Sequence, residues 1–297
     1  MKKRKKMDQG LTLISLKFFC DTAQRLSVSE AARMNFVTQS AISQGIRRLE
    51  KGLQVTLTNH SRHNLQLTHE GEIVLEKGRK IVRSFKEIQD ALQGQSKTIS
   101  GRVHIACTSS IGMNFMNQAM RAMHQEYPEV AIELKIGNPD AIRQWIKSSA
   151  VDFGLALAST EFETFEQTVL RRGNFYVFSS GPSLHRGVFV DERHGLFVEL
   201  LTAQYRQKYK KELCLLSELG GWEIVAQFTQ EGLGCGFFPD YLINRYPDLV
   251  VSQEKIKPIP YELVAVTNKA EVLSKASQAF CSLFSALKPC VATHLAL

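Results

Sequence analysis

The 297-residue sequence lacks the marks of several large protein classes. Its six cysteines, Cys20, Cys107, Cys214, Cys235, Cys281 and Cys290, form no C-x-x-C pair and share no repeated spacing. That pattern argues against a disulfide framework or a zinc site. It favours buried, reduced thiols, with a redox-sensing pair as the alternative. No stretch approaches the ~18 consecutive apolar residues of a membrane span. No serine sits in a G-x-S-x-G setting, and Gly232-x-Gly234-x-Gly236 is followed by Phe237, where a nucleotide-binding loop needs a further glycine or a lysine. Those glycines read as tight turns and close packing. His60 and His63 are three apart, not the i, i+4 pair of a helical metal site, and have no obvious carboxylate partner. Neither an enzyme nor a cofactor is implied.

Negative charge is scarce only at one end. Residues 1–100 hold 18 Lys and Arg against 9 Asp and Glu, a net of +9, whereas residues 101–297 hold 19 against 20, a net of −1. A basic head on a neutral body suggests a polyanion partner, the alternative being a basic domain that is merely soluble. The start, Lys2-Lys3-Arg4-Lys5-Lys6 before the apolar residues 11–16, imitates a secretory signal. Asp8 precedes the apolar run, Lys17 interrupts it and no small-x-small cleavage site follows, so a cytoplasmic chain is expected.

Helical spacing over residues 11–26 puts Leu13, Leu16, Phe19, Cys20 and Ala23 on one face. Ser27-Val28-Ser29-Glu30 has the form of a capping box for a short helix over 28–34. After a turn at 35–37, Thr38 is an N-cap for a third helix to about Lys51. Two helices joined by so short a turn fit a helix-turn-helix. Residues 53–67 alternate like a small β-wing with its tip at 61–64. Thr68 then caps a helix to about Gln95, in which Val74, Gly78, Ile81, Phe85, Ile88 and Leu92 are spaced 4, 3, 4, 3, 4. This is the seam of a short coiled coil that would make a homodimer, the alternative being one amphipathic helix packed on its own domain.

A polar linker at 93–101 precedes strands and helices in alternation. Strands are expected at 102–107, 130–136, 152–156, 175–179 and 235–238, with helices at 111–125, 140–148 and 222–230. This implies an α/β domain with ligands at the carboxyl ends of its strands.

The residues Phe19, Ala23, Ser27, Ala31-Ala32, Met34, Thr38-Gln39-Ser40-Ala41-Ile42-Ser43, Ile46, Leu49-Glu50 and Leu53 resemble the head of LysR-type regulators. Leu67-Thr68 and Gly71 resemble the entry to that family's linker helix. More loosely, residues 101–105, 127–130, 151–155 and 231–239 resemble its effector domain. The resemblance implies three parts: a winged helix-turn-helix at 1–68, a dimerisation helix and hinge at 69–100, and a periplasmic-binding-protein-like effector domain at 101–297. The last would have two subdomains, 101–160 with 268–297, and 161–267. The resemblance also implies a homodimer or homotetramer, double-stranded DNA as partner and a small-molecule effector in the cleft. The sequence departs from the family's usual glycine at Gln54, phenylalanine at Thr58, arginine at His60 and proline at Ser40. A small-molecule-binding protein with a degenerate head is therefore the competing expectation.

Phosphate contacts give affinity for DNA and base-edge contacts give specificity. Gln39 and Gln44 match the donor and acceptor of adenine, while Ser40 and Ser43 allow close approach. Arg47 and Arg48 suit phosphates, or one of them a guanine, and Arg62 on the wing tip suits the minor groove or the backbone; Ser29 and Thr38 stand at helix starts, and Lys2 to Lys6 add a salt-sensitive attraction. In the sensing domain, Thr108-Ser109-Ser110 open a helix after the first strand, an anion site suited to a carboxylate effector or simply a run of capping residues. Asn138, Ser159, Asp191 and Ser217, at other strand ends, would face the same cleft.

Overall fold

A computed structural model describes residues 11–61, 64–92, 99–181, 187–192, 194–252, 256–269 and 272–287. The chain divides into two compact units, the head Met1–Lys97 with Lys147–Ala150, and Thr98–Ile146 with Val151–Leu297.

In the head, α1 (Leu13–Arg25) is capped by Thr12, whose hydroxyl accepts from the Ser15 N–H at 3.1 Å. Ser27 caps α2 (Val28–Met34) by accepting from the Glu30 N–H at 3.2 Å. The Glu30 carboxylate lies 3.9 Å from Arg25, on the preceding helix. Thr38 caps α3 (Gln39–Leu53) through the Ala41 N–H at 3.2 Å. The three helices close around Phe19, Ala23, Ala31, Ile42, Ile46 and Leu49. Gly45, unfavourable for helix propensity, lies on the buried side of α3. A Cβ there would stand 2.7 Å from the Phe18 ring, so the glycine lets α1 and α3 approach closely.

The wing is shorter than its alternation suggested. Leu53 completes α3, and Gln54 stops it with φ +59°, the left-handed geometry for which glycine is the usual choice. Strands β1 (Thr58–Ser61) and β2 (Asn64–Leu67) then pair antiparallel. Glu50 of α3 holds the approach to them: its Oε1 accepts from the Leu57 N–H at 2.8 Å and the Thr58 N–H at 3.2 Å. Helix α4 (His69–Leu92) follows. Thr68 donates to Thr56 O at 2.6 Å and accepts from the Gly71 N–H at 2.9 Å. A Cβ on Gly71 would sit 2.2 Å from Leu57 O.

The second unit begins with β3 (Gly101–Cys107), α5 (Ser109–Ile111), a π-helical segment (Gly112–Met116) and α6 (Asn117–Glu126). The helix thus starts two residues earlier than its apolar spacing indicated. Then come β4 (Val130–Ile136), α7 (Pro139–Lys147), β5 (Phe153–Leu157) and β6 (Glu166–Ser179). After these follow β7 (Val188–Val190), α8 (Leu196–Tyr209), β8 (Leu215–Glu218), α9 (Trp222–Gln230) and β9 (Cys235–Pro239). The last elements are β10 (Val250–Val251), β11 (Ile259–Thr267) and α10 (Lys275–Ala286). One nine-stranded sheet in the order β4-β3-β5-β11-β6-β9-β7-β8, with β10 beside β6, runs through this unit.

The parallel strands form two groups, β4-β3-β5 and β9-β7-β8, and β6 and β11 pair antiparallel between them. Strands β6 and β11 therefore carry the chain between the two groups, beside the boundaries expected near Thr160 and Thr267. Phe162 and Phe165 pack in the first-lobe core with Ile142, Ile146 and Val264, so residues beyond Thr160 still belong to that lobe. Strand β6 pairs with β11 from Glu166 to Phe175 and with β9 only from Phe175 to Phe178.

The cysteines also need correcting: Cys20, Cys107 and Cys235 are buried, but Cys214 is exposed and Cys281 only half-buried. Burial pushes the thiols of Cys20, Cys107 and Cys281 up to about 12, which keeps them unreactive. Cys290 lies outside the described residues. Among the described residues no helix is long and apolar enough to cross a membrane.

Replacing Glu50 by Ala is expected to cost the head about 1–3 kcal/mol, because the buried Leu57 loses the acceptor for its N–H. Urea unfolding of wild type and variant measures it; an unchanged midpoint would show that the carboxylate does not hold the wing.

Candidate nucleic-acid interface and sensing cleft

The burial of Ile42, Gly45, Ile46 and Leu49 leaves the other side of α3 to solvent. Gln39, Ser40, Gln44, Arg47, Arg48 and Lys51 are all exposed, and Ser43 is half-buried at the edge of this surface. Ser40, Gln44, Arg47 and Lys51 follow at intervals of 4, 3 and 4 and so share one face. Gln44 Nε2 lies 3.4 Å from Ser40 Oγ, so both amide and hydroxyl point outward from that face. Thr38 is exposed with its hydroxyl occupied by the cap, and Ser29 is exposed in the first turn of α2. Arg62 and Lys2 to Lys6 lie outside the described residues, as does His63. Sequence reasoning missed the role of Glu50, since nothing in the spacing marks a carboxylate that reaches seven residues ahead.

The stripe on α4 changes character along its length. Val74 packs on the head's own core, and a Cβ at the buried Gly78 would meet Leu16 at 2.8 Å and Cys20 at 3.0 Å. Val74 therefore serves the head, contrary to its assignment to a dimer seam. Beyond it the same face is bare: Ile81, Phe85 and Ile88 are 54%, 44% and 55% exposed. The Leu92 side chain lies outside the described residues.

In the second unit, Thr108, Asn138 and Ser159 follow the carboxyl ends of the adjacent parallel strands β3, β4 and β5. Thr108 makes no side-chain cap, and its Oγ1 is buried without a hydrogen-bond partner. Ser109 is exposed. Ser110, in contrast, is buried and bonded to the Tyr241 hydroxyl at 2.8 Å, so it ties the lobes together. Asn138 is exposed and caps α7 through the Ala141 N–H at 2.9 Å. Ser159 is half-buried with no capping bond from its side chain.

In the other lobe, Asp191 follows β7, and Ser217 lies within β8 opposite Phe189, one residue short of the strand end. Burial, then Glu192, Glu223 and Glu218, push the Asp191 carboxyl up to about 6. Glu223 Oε1, in the first turn of α9, is buried without a hydrogen-bond partner. One further bond joins the lobes: Arg245 donates to Met113 O in the π-helical segment at 2.6 Å, while Arg171 of the crossing strand β6 donates to Leu287 O at 2.9 Å. Asp240 accepts from the Tyr261 hydroxyl at 2.7 Å and the Asn174 N–H at 2.8 Å beside them. Tyr241 and Glu223 were not anticipated. The strand-end rule applied to β9 and β8 reaches Asp240-Tyr241 and, four residues further on, the start of α9.

A winged helix-turn-helix with an exposed polar recognition helix, followed in the chain by a two-lobed α/β sensing domain, defines a DNA-binding transcription regulator. Comparison with known proteins agrees. Residues 13–72 match the bacterial regulatory helix-turn-helix of the LysR family, and residues 96–287 match the LysR substrate binding domain. The chain belongs to the LysR family of transcriptional regulators, and not to a family of enzymes.

It is 25% identical over 289 residues to the uncharacterized HTH-type transcriptional regulator YoaU of Bacillus subtilis, covering 92% of this chain and 97% of that one. It is 23% identical over 282 residues to the HTH-type transcriptional activator IlvY of Haemophilus influenzae, covering 89% and 97%. Among solved structures, a full-length OxyR variant from Pseudomonas aeruginosa shares the fold with a TM-score of 0.73, 14% identity and coverage of 92% and 97%. Vibrio fischeri DarR, solved in complex with DNA, superposes with a TM-score of 0.54 at 17% identity and coverage of 94% and 99%.

The raised carboxyl of Asp191 predicts a pH effect. Its folded value of about 6 lies above the ordinary 3.8, so stability present below the ordinary value is lost as pH rises through 6. Asp191→Asn should be on the order of 1–3 kcal/mol more stable than wild type at neutral pH, with the gain shrinking toward pH 4.5. Urea unfolding across that range reads the effect; a pH-independent difference would mean that the carboxyl is not desolvated.

Proposed function

We propose that α3 enters the major groove of promoter DNA through Gln39, Ser40, Ser43, Gln44, Arg47 and Arg48, and that a small molecule in the lobe cleft controls the outcome. Ser29 and Thr38, at helix starts, approach the phosphates, and Arg62 on the wing adds a backbone or minor-groove contact. The observation that carries this reading is the division of α3, one side sealed into the head core and the other polar, cationic and open. Such a helix presents donors to base edges and charge to phosphates. Two of the departures that suggested a degenerate head are absorbed by the fold: Thr58 is buried against Glu50, and Gln54 ends α3 with its N–H bonded to Glu50 O.

A homodimer forms through the bare stripe Ile81, Phe85 and Ile88 of α4, with Leu92 as its continuation. Two copies of that stripe packed on each other bury the apolar side chains which the head leaves uncovered. A dimer also delivers two α3 helices to half-sites one helical turn apart.

The effector site lies between the strand ends of the two lobes, with Thr108, Ser109, Asn138 and Ser159 on one side and Asp191 and Ser217 on the other. The unpartnered Thr108 hydroxyl and the helix that starts beside it suit a carboxylate. Asp191 and Glu223 across the cleft accept hydrogen bonds, so an effector with an anionic group at one end and donors at the other fits both. Its binding shifts the regulator only through unequal affinity for two lobe arrangements.

Mobility-shift titration with the duplex upstream of the gene tests the DNA reading. Arg47→Ala should weaken binding and lower the slope of log affinity against log salt by about one; an unchanged slope removes Arg47 from the interface. Ile81→Asp with Phe85→Asp should convert the dimer to monomer by light scattering, and an unchanged mass would place the interface elsewhere.

A further inference from the structure

Phe36 stands in the turn between α2 and α3 and is 96% exposed, the most solvent-exposed large apolar side chain among the described residues. Its backbone has φ +53°, a left-handed conformation that disfavours residues with a Cβ and suits glycine or asparagine. The turn is nonetheless fixed on both sides. The Phe36 N–H bonds to Arg33 O at 3.3 Å and the Val37 N–H to Ala32 O at 3.1 Å. Asn35 donates to Asp21 at 2.7 Å and to Ala31 O at 2.9 Å. A strained backbone that presents a bare aromatic ring contributes nothing to the head's own packing, and strain of this kind collects at functional positions.

The position of the ring names its occupant. Thr38, the cap of α3, is two residues away, a span of at most about 7 Å of chain. In a helix-turn-helix, base edges meet the amino-terminal part of the recognition helix. The apolar feature of the major groove is the thymine 5-methyl, and the neighbouring Gln39 and Gln44 carry the donor and acceptor that adenine requires. Amides that read adenine and a ring that covers a thymine methyl serve A·T pairs together.

We infer that Phe36 is a specificity-determining residue that packs against a thymine 5-methyl at the edge of the site read by α3. The inference rests on the placement of α3 in the groove.

The test uses the full-length chain and a pool of random-sequence duplexes, from which bound sequences are enriched. Each thymine of the enriched site is then replaced by uracil, which removes only the methyl. Wild type should lose about three- to fivefold in affinity at one or two thymines, the effect of one buried methyl group. Phe36→Asn and Phe36→Gly, both tolerant of the left-handed turn, should keep the wild-type melting transition, bind the thymine site several-fold more weakly and be indifferent to uracil there. Equal uracil penalties in wild type and variants, or variants that bind as tightly as wild type, would overturn the role of Phe36 while leaving α3 in place. Failure to enrich any sequence would overturn the α3 reading and this inference with it.

Discussion

One carboxylate sets the geometry on which DNA recognition depends. Glu50 belongs to the last turns of α3, yet its Oε1 takes the N–H groups of Leu57 and Thr58, where the chain turns into the wing. The wing therefore cannot move without disturbing the helix that carries Gln39 to Arg48. The same stretch of backbone is locked from the other side, since Thr68 donates to Thr56 O and the carbonyl of Leu57 leaves no room for a Cβ on Gly71. Recognition helix, wing and the start of α4 thus share one rigid junction of backbone acceptors and donors. A DNA-reading surface needs this, because base-edge hydrogen bonds tolerate little misplacement.

A comparable principle governs the sensing domain, where the two lobes share one sheet through β6 and β11. The bonds Ser110–Tyr241 and Arg245–Met113 span the lobes beside that crossing, and Arg171 of β6 is bonded to Leu287 O. Burial holds the Tyr241 phenol well above its ordinary value, so it stays a neutral hydrogen-bonding partner. The π-helical segment at Gly112–Met116 directs the Met113 carbonyl to Arg245, a use typical of such segments near functional sites. Any movement of one lobe against the other must work against these contacts.

Much of the head was legible because its signals are local. Ser27, Thr38 and Thr68 cap the helices they were expected to cap, and α2 has the expected bounds. The strands β4 and β9 and the helix α9 were legible as unbroken apolar or amphipathic runs. The crossing strand β6 was half hidden, since along Glu166–Asn174 only Leu170 is buried and no alternation survives. Ser110 looked like a ligand-facing hydroxyl because its partner, Tyr241, is 131 residues away, beyond any local pattern. Val74 and Ile81 look alike on a helical wheel; whether α1 covers them is a tertiary fact.

Sequence recognition by this regulator requires α3 to lie in the major groove. Methylation of guanine N7 with dimethyl sulfate, which blocks only that groove, tests this directly when methylated duplexes are sorted into bound and free by the full-length protein. Interference is expected in two clusters about one helical turn apart, one for each subunit of a dimer. Binding indifferent to N7 methylation at every position would contradict that placement.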